Sequence, residues 1–468
     1  MNLICEALSP LANRQAGGPP ARHGTSRRAF IRSVAKTAAV SLATLDISRF
    51  AHAAGSDVIR LGLVGCGGRG SGAVRNALAS GKDVKLVAMA DVADWRIKSA
   101  LDALRKARVA DQIQVNPERK FVGFNSFQNL LASGVDAVIL ATPPGFRPLH
   151  FAAAVSAGVH CFLEKPVAVD APGVRQIRVA AERGAQKGLS SIVGIPERFN
   201  KSYQQFIAEI SHGAIGRIDK LKAIIRMSSA AQPVQRGDLD RQLRRNATEM
   251  EFQIRNWVSF AWLSGDKIAE MLVHQIDSCL WACGRPPQSA SGSAARREHT
   301  RSDYGDTSDF MSVQFSFGDG TQCLAEICAL AGAIPERLAS MEGDKGVAVA
   351  PNRIVGRQGE TIWSYQGPNV DAYQAEMNEW CASIRQRNPL NTVASGADST
   401  LMAIMGRTAA YTGRTVTWDD IQRSTETFFV RNPKSFEEDP PCLPDKFGDY
   451  QTPPRGILTA KTPRRDGD

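Results

Sequence analysis

From residue 58 onward the chain alternates short apolar runs with segments of helical period. Residues 58–64 (V-I-R-L-G-L-V) are mostly apolar and β-branched, as a strand buried on both faces requires. A helical pattern follows, with Ala73, Val74, Ala77 and Leu78 on one face and Gly81 after its end. Residues 84–90 read as a second strand, closed by Asp91. The alternation continues through a helix at 93–107, a strand at 136–141, a helix at 148–157 and a strand at 160–163. Asp170 is placed to cap a further helix, and 190–195 reads as another strand. Strands alternating with helices predict a parallel, doubly wound α/β sheet.

The pattern then changes. Residues 312–317 alternate polar and apolar, with Val313, Phe315 and Phe317 on one face. Gly318-Asp319-Gly320 makes a turn and 321–327 returns, so the pair reads as a hairpin. Strand-like runs recur at 218–225 and 353–365. Tyr373, Met377, Trp380, Cys381 and Ile384 form a helical stripe, and 395–411 reads as a helix that Gly413 ends. Seven of the 24 prolines lie in the last 36 residues, which predicts an extended tail on a surface. The expected organisation is 1–53, 54–196, 197–430 and a tail at 431–468.

Between the first strand and first helix stands Gly65-Cys66-Gly67-Gly68-Arg69-Gly70, a G-x-G-x-x-G loop, and Asp91 follows Gly70 by 21 residues. Strand, glycine loop, helix, strand and acid is the dinucleotide-binding arrangement. Gly65 allows the tight turn, Gly67 lets backbone approach a pyrophosphate, and Gly70 lets helix pack on strand. The helix N-terminus offers free N–H groups to phosphate. A carboxylate at Asp91 accepts bonds from ribose hydroxyls and repels a 2′-phosphate, so NAD is expected over NADP. Thr142-Pro143-Pro144 and Glu164-Lys165-Pro166 also follow strands. Ligands bind at strand carboxyl ends in such sheets, so Thr142, Pro143, Glu164 and Lys165 are expected in the same crevice.

The +10 net charge first invites a nucleic-acid partner. Its distribution says otherwise. Residues 1–53 hold seven Lys or Arg and two acids, a net of +5. Ser26-Arg27-Arg28-Ala29-Phe30, a mildly apolar run at 33–45 and Ala51-His52-Ala53 follow the order of an export signal of the twin-arginine class. The apolar run is too short to span a membrane. The expectation is a periplasmic protein exported folded by the twin-arginine machinery. Acids Asp238, Asp240, Glu249 and Glu251 flank Arg241, Arg244 and Arg245, so that segment reads as mixed surface charge and no nucleic-acid partner is expected. The nine cysteines show no C-x-x-C pair and the histidines no H-E-x-x-H, so no metal is expected.

Glu270, His274 and Asp277 are spaced i, i+4, i+7, one face of a single expected helix. The glycine loop, Ala141-Thr142-Pro143 with His150, Glu164-Lys165-Pro166 and the segment 265–277 together resemble Gfo/Idh/MocA oxidoreductases, a family that includes inositol dehydrogenases and glucose–fructose oxidoreductase. Residues 255–266 resemble its exported, twin-arginine-bearing branch. The family's acid is usually aspartate, where this chain has Glu270.

The resemblance implies a Rossmann domain followed by an α+β domain with an open, mostly antiparallel sheet, and a homodimer or homotetramer. It implies hydride transfer between nicotinamide and the hydroxyl or ketone of a sugar or cyclitol. Histidine takes a hydroxyl proton near neutral pH with little tuning. The roles implied are His274 as acid/base, Lys165 as stabiliser of the developing alkoxide and proton relay, and Glu270 and Asp277 as orienters. His150 joins the glycine loop, Asp91, Thr142, Pro143, Glu164 and Lys165 around the cofactor. Export implies a cofactor loaded before transport and held tightly. Two other readings stay open: a redox-neutral epimerase or glycosidase using transient oxidation, and a catalytically silent sugar- or dinucleotide-binding protein. Trp257 and Trp262 read as core. Glu197, Arg198 and Asn200 follow a strand end and are open between substrate contact and surface.

Overall fold

The first apolar run forms β1 (Ile59–Val64), with five of its six residues buried, and it lies inside a sheet. A computed structural model describes residues 58–228, 232–298, 302–429 and 432–452. The export-signal expectation and the last 16 residues fall outside them. After β1 come α1 (Gly68–Ala79), β2 (Val84–Asp91), α2 (Asp94–Arg105), β3 (Lys120–Val122), α3 (Ser126–Ala132) and β4 (Ala137–Leu140). Then follow α4 (Arg147–Ser156), β5 (His160–Glu164), α5 (Ala171–Gln186) and β6 (Ser191–Gly194). All six strands are parallel, in the order β3-β2-β1-β4-β5-β6. The order reverses between β1 and β4, which opens a crevice at their carboxyl ends. Asp170 caps α5 by accepting the Gly173 N–H at 2.8 Å.

The second sheet has nine strands. α6 (Lys201–Ser211) leads to β7 (Ile218–Met227). Two short helices, α7 (Asp266–Glu270) and α8 (Val273–Cys283), then precede β8 (Ser289–Ala295), β9 (Phe310–Ser316), β10 (Gln322–Ala329) and β11 (Glu336–Gly343). β12 (Gly346–Val349), β13 (Arg353–Gly356) and β14 (Thr361–Ser364) extend one edge. α9 (Ala372–Arg385), α10 (Val393–Thr412) and β15 (Val416–Thr417) complete it. The order is β14-β13-β12-β11-β7-β10-β9-β8-β15, antiparallel except for β7 with β10. Val313, Phe315 and Phe317 are buried as the alternation requires, and α8 and α10 pack on this sheet. The helix α9 instead packs on α1, so a late stretch of chain reaches the glycine loop.

Three expectations are corrected. Residues 353–365 are two strands, because Gly359 takes φ +90° and turns the chain between them. The helix expected to carry Glu270, His274 and Asp277 is broken: α7 ends at Glu270 and α8 starts at Val273. The tail is irregular through residue 452, yet it is anchored in a core. Tyr450 is only 3% exposed, packs edge-on against Phe260 and donates its hydroxyl to Glu249. Buried aromatic area fixes this segment better than its prolines would. Trp262 is core, stacked on Phe429 with its indole N–H on Gln253 at 2.7 Å.

Candidate active site

The glycine loop shows why each glycine stands where it does. Gly65 has φ +94°, and a Cβ there would lie 2.6 Å from the Ala141 carbonyl carbon. At Gly70 a Cβ would meet the Gly65 oxygen at 2.2 Å, so only glycine lets α1 pack this close. Gly67 and Gly68 have no atom within 4 Å of their Cβ positions, and Gly67 begins α1 without a side-chain cap. Free N–H groups at a helix start facing open space form a cradle that fits a pyrophosphate. The two kinds of glycine separate by experiment. Gly70→Ala should lower the unfolding temperature, since backbone must move. Gly67→Ala should leave it unchanged and weaken dinucleotide binding about tenfold or more. Thermal melts and cofactor titration check both.

Asp91 ends β2 with its carboxylate tied to the loop: Oδ2 accepts the Cys66 N–H at 2.7 Å and Oδ1 the Ala93 N–H at 3.0 Å. Burial pushes this carboxyl up, and those N–H bonds and the Arg96 charge only partly oppose it. Cys66 itself is a packing residue, its thiol pushed well up by burial and by Asp91.

After β4, Thr142 and Pro143 are half-buried. Thr142 Oγ1 lies 3.2 Å from His150 Nδ1. His150 is 4% exposed, and burial with the Arg147 charge pushes it down to about 3, so it stays neutral. It packs its ring on Phe127 and fixes Thr142. That corrects its expected place as a cofactor contact to a supporting one. The buried Arg147 donates to the Thr142 and Pro166 carbonyls and so ties the β4 and β5 loops together.

The ends of β5 and β6 supply Lys165 and Glu197, and α7 and α8 supply Glu270 and His274. Lys165 Nζ bonds the Glu270 carboxylate at 2.8 Å and also its backbone carbonyl. Burial pushes the Glu270 carboxyl up, against the Lys165 charge and hydrogen bond. His274 Nδ1 lies 3.1 Å from Glu197 Oε2, on the turn after β6. Burial raises the Glu197 carboxyl, and the His274 charge and hydrogen bond more than reverse this, leaving it below its usual range. The expected partners of His274 are therefore corrected. The break after Glu270 frees that acid for Lys165, and Glu197 takes its place. Asp277 is fully buried, with both oxygens on Arg198 and Oδ1 on Ser399. It anchors Arg198, the neighbour of Glu197. Asn200 caps α6, accepting the Ser202 N–H at 2.8 Å.

Sequence reasoning missed Glu376 and Tyr373 as neighbours of the loop. Arg69 Nε sits 2.5 Å from Glu164 Oε1, an ion pair whose angles fall outside hydrogen-bond geometry. Its Nη2 is 3.2 Å from Glu376 Oε1, and its guanidinium lies 4.8 Å from the Tyr373 ring centre. Burial pushes the fully buried Glu376 carboxyl well up, helped by the charge of Glu164. A glutamate set into the apolar stripe of 373–384 was the available signal.

Residues 59–193 match the family described as oxidoreductase family, NAD-binding Rossmann fold (GFO_IDH_MocA). The chain carries a Gfo/Idh/MocA oxidoreductase domain. An inositol 2-dehydrogenase of Acidothermus cellulolyticus is 26% identical over 335 residues, 70% of this chain and 85% of that protein. One from Rhizobium meliloti is 24% identical over 345 residues, 70% of this chain and 89% of its own. The fold superposes on apo scyllo-inositol dehydrogenase from Lactobacillus casei with TM-score 0.57 at 20% identity, covering 77% of this chain and 98% of the other. It also superposes on the aldose–aldose oxidoreductase of Caulobacter crescentus at TM-score 0.58 and 16% identity, covering 77% and 99%. That domain is NAD-binding and of an oxidoreductase family, and its glycine cradle and Asp91 fit the cofactor. Among the described residues no helix is long and apolar enough to cross a membrane.

Proposed function

We propose that the protein oxidises a hydroxyl of a sugar or cyclitol, or reduces the matching ketone, with a nicotinamide dinucleotide held at the glycine loop. The observation that carries this is the pair of acid–base dyads, Lys165–Glu270 and His274–Glu197, in which Lys165 and Glu197 follow β5 and β6 and Glu270 and His274 stand on α7 and α8. The named activity of the inositol 2-dehydrogenase relatives supports the cyclitol class. The nicotinamide, when bound, accepts or returns the hydride. The protein moves the proton. His274 takes it from the hydroxyl through Nε2, since Nδ1 is engaged with Glu197. Lys165 donates a hydrogen bond to the same oxygen and stabilises it as negative charge develops. Glu270 holds the ammonium in place, and Glu197 orients the imidazole and stabilises its cation. A panel of cyclitols and aldoses, added to protein supplied with NAD, tests the substrate class. Reduction by at least one polyol is expected, and reduction by none would overturn the reading.

Glu197 is a positioning residue, and its loss should separate kcat from KM. Glu197→Gln should lower kcat about tenfold and leave KM within about threefold, since the carboxylate acts through the imidazole it touches. A merely structural role would lower the melting temperature and move both constants together.

We also propose export through the twin-arginine route, on the order of charged, apolar and small residues in 1–53. Replacing Arg27 and Arg28 by lysine should hold the protein in the cytoplasm. Periplasmic recovery of that variant would count against export by this route.

A further inference from the structure

Three cations of the site pair with acids: Lys165 with Glu270 at 2.8 Å, Arg198 with Asp277 at 2.9 Å, and Arg69 with Glu164 and Glu376. Arg337 differs. It is the second residue of β11, it is exposed, and among the described residues it makes no hydrogen bond or ion pair. The register of the second sheet brings it to the end where His274 stands. Just after the C-terminus of α8, Arg285 meets Asp319 in the turn between β9 and β10. In the middle of α8 the Cys279 thiol reaches the Lys222 carbonyl at 3.5 Å. His274 lies five residues before Cys279, about 7.5 Å along the helix and away from Asp319. On β7, Ile225 lies three residues beyond Lys222 in the same direction, about 10 Å, and it pairs with Arg337. Alternation settles the face. Ala339 and Met341, two and four residues on, are buried, and α8 packs on this strand. Glu336 turns the other way and pairs with Arg226 at 2.7 Å. The Arg337 charge is felt at Glu197: burial raises that carboxyl, the His274 charge and hydrogen bond lower it, and Arg337 adds to them.

We propose that Arg337 contacts the substrate and selects polyols that carry a carboxylate, so that the substrates are sugar acids of the uronate kind. The inference rests on the reading of the site as a polyol oxidoreductase. A neutral polyol needs hydrogen bonds from the protein and no net charge, and Lys165, His274 and the carboxylates around them offer those bonds. An unpaired guanidinium adds a planar fork of N–H donors, which matches a carboxylate in two parallel bonds. Glu197 does not occupy that fork, since its Oε2 is engaged with His274 at 3.1 Å. Lys165 and His274 address the hydroxyl that is oxidised, which leaves Arg337 for a group further along the substrate. A two-bond contact there fixes orientation as well as affinity, and so decides which hydroxyl faces His274.

The test uses the full chain supplied with NAD and follows reduced nicotinamide with glucose, galactose and mannose, each beside its uronate. At least one uronate should exceed its neutral parent in kcat/KM by about tenfold or more. Arg337→Gln should remove about tenfold or more of that uronate activity, chiefly through KM, and change the neutral parent about threefold or less. An NADH affinity within about threefold of wild type shows that the variant is folded, since the glycine cradle does not involve Arg337. Neutral sugars used as well as or better than every uronate would overturn the proposal and leave the oxidoreductase reading standing. Equal losses on both kinds of sugar in Arg337→Gln would overturn it too. If no sugar of either kind and no cyclitol reduces NAD, the hydride-transfer reading itself fails, and the proposal falls with it.

Discussion

Lys165→Ala should lower kcat/KM for polyol oxidation by about a thousandfold and leave dinucleotide affinity within about threefold. The large effect follows from where the ammonium stands. It follows β5, next to Glu164, and its ammonium donates to both the carboxylate and the backbone carbonyl of Glu270. A donor held this way costs no reorganisation when the substrate oxygen gains charge. The small effect on binding follows because the cradle at Gly67 and Gly68 is backbone and does not involve Lys165. The substitution also strands Glu270, whose partner it removes, so some stability is lost with activity. The double variant Lys165→Met with Glu270→Gln separates these. It removes the stranded charge and should regain stability without regaining rate. Recovery of rate in the double variant would mean that Lys165 serves only to neutralise Glu270.

His274→Ala should cost about 10²–10⁴ in kcat/KM, because it removes the proton acceptor. The side chain is 11% exposed, so the loss of packing is modest beside the loss of chemistry. Glu197→Gln and His274→Ala should be strongly non-additive, since Glu197 acts through the imidazole it touches. With His274 removed, the glutamine substitution should have little further effect on rate. Full additivity would show that Glu197 works on something else.

The residues of the cofactor cradle were legible in the chain because their geometry is local. Gly65, Gly67, Gly70 and Asp91 lie within one strand–helix–strand unit, and their spacing alone sets the turn, the approach and the acid. Lys165 and His274 were legible as residues, through a strand end and a helical spacing. Their partners were not. Lys165 meets Glu270 across 105 positions, His274 meets Glu197 across 77, and Arg69 meets Glu376 across 307. No local period reports contacts of that range, and the i, i+4 spacing of Glu270 and His274 pointed to the wrong pair. The break at Met271 and Leu272 decides the matter, and it falls inside an apolar stretch with no glycine or proline to announce it. The strand β3 was missed for a different reason: it has three residues, none of them buried. The tail misled because prolines predict extension but say nothing of Tyr450, which one buried ring fixes in place.

The central claim is that a hydride passes from a carbinol carbon of the substrate to the nicotinamide at the Lys165 and His274 site. The most direct measurement uses protein loaded with NAD and mixed in a single turnover with a responsive polyol deuterated at that carbon. The predicted result is reduced dinucleotide carrying one deuterium by mass spectrometry, formed more slowly than with unlabelled polyol and lost in His274→Ala. Reduced dinucleotide without deuterium, or deuterium transfer undiminished in His274→Ala, would contradict it.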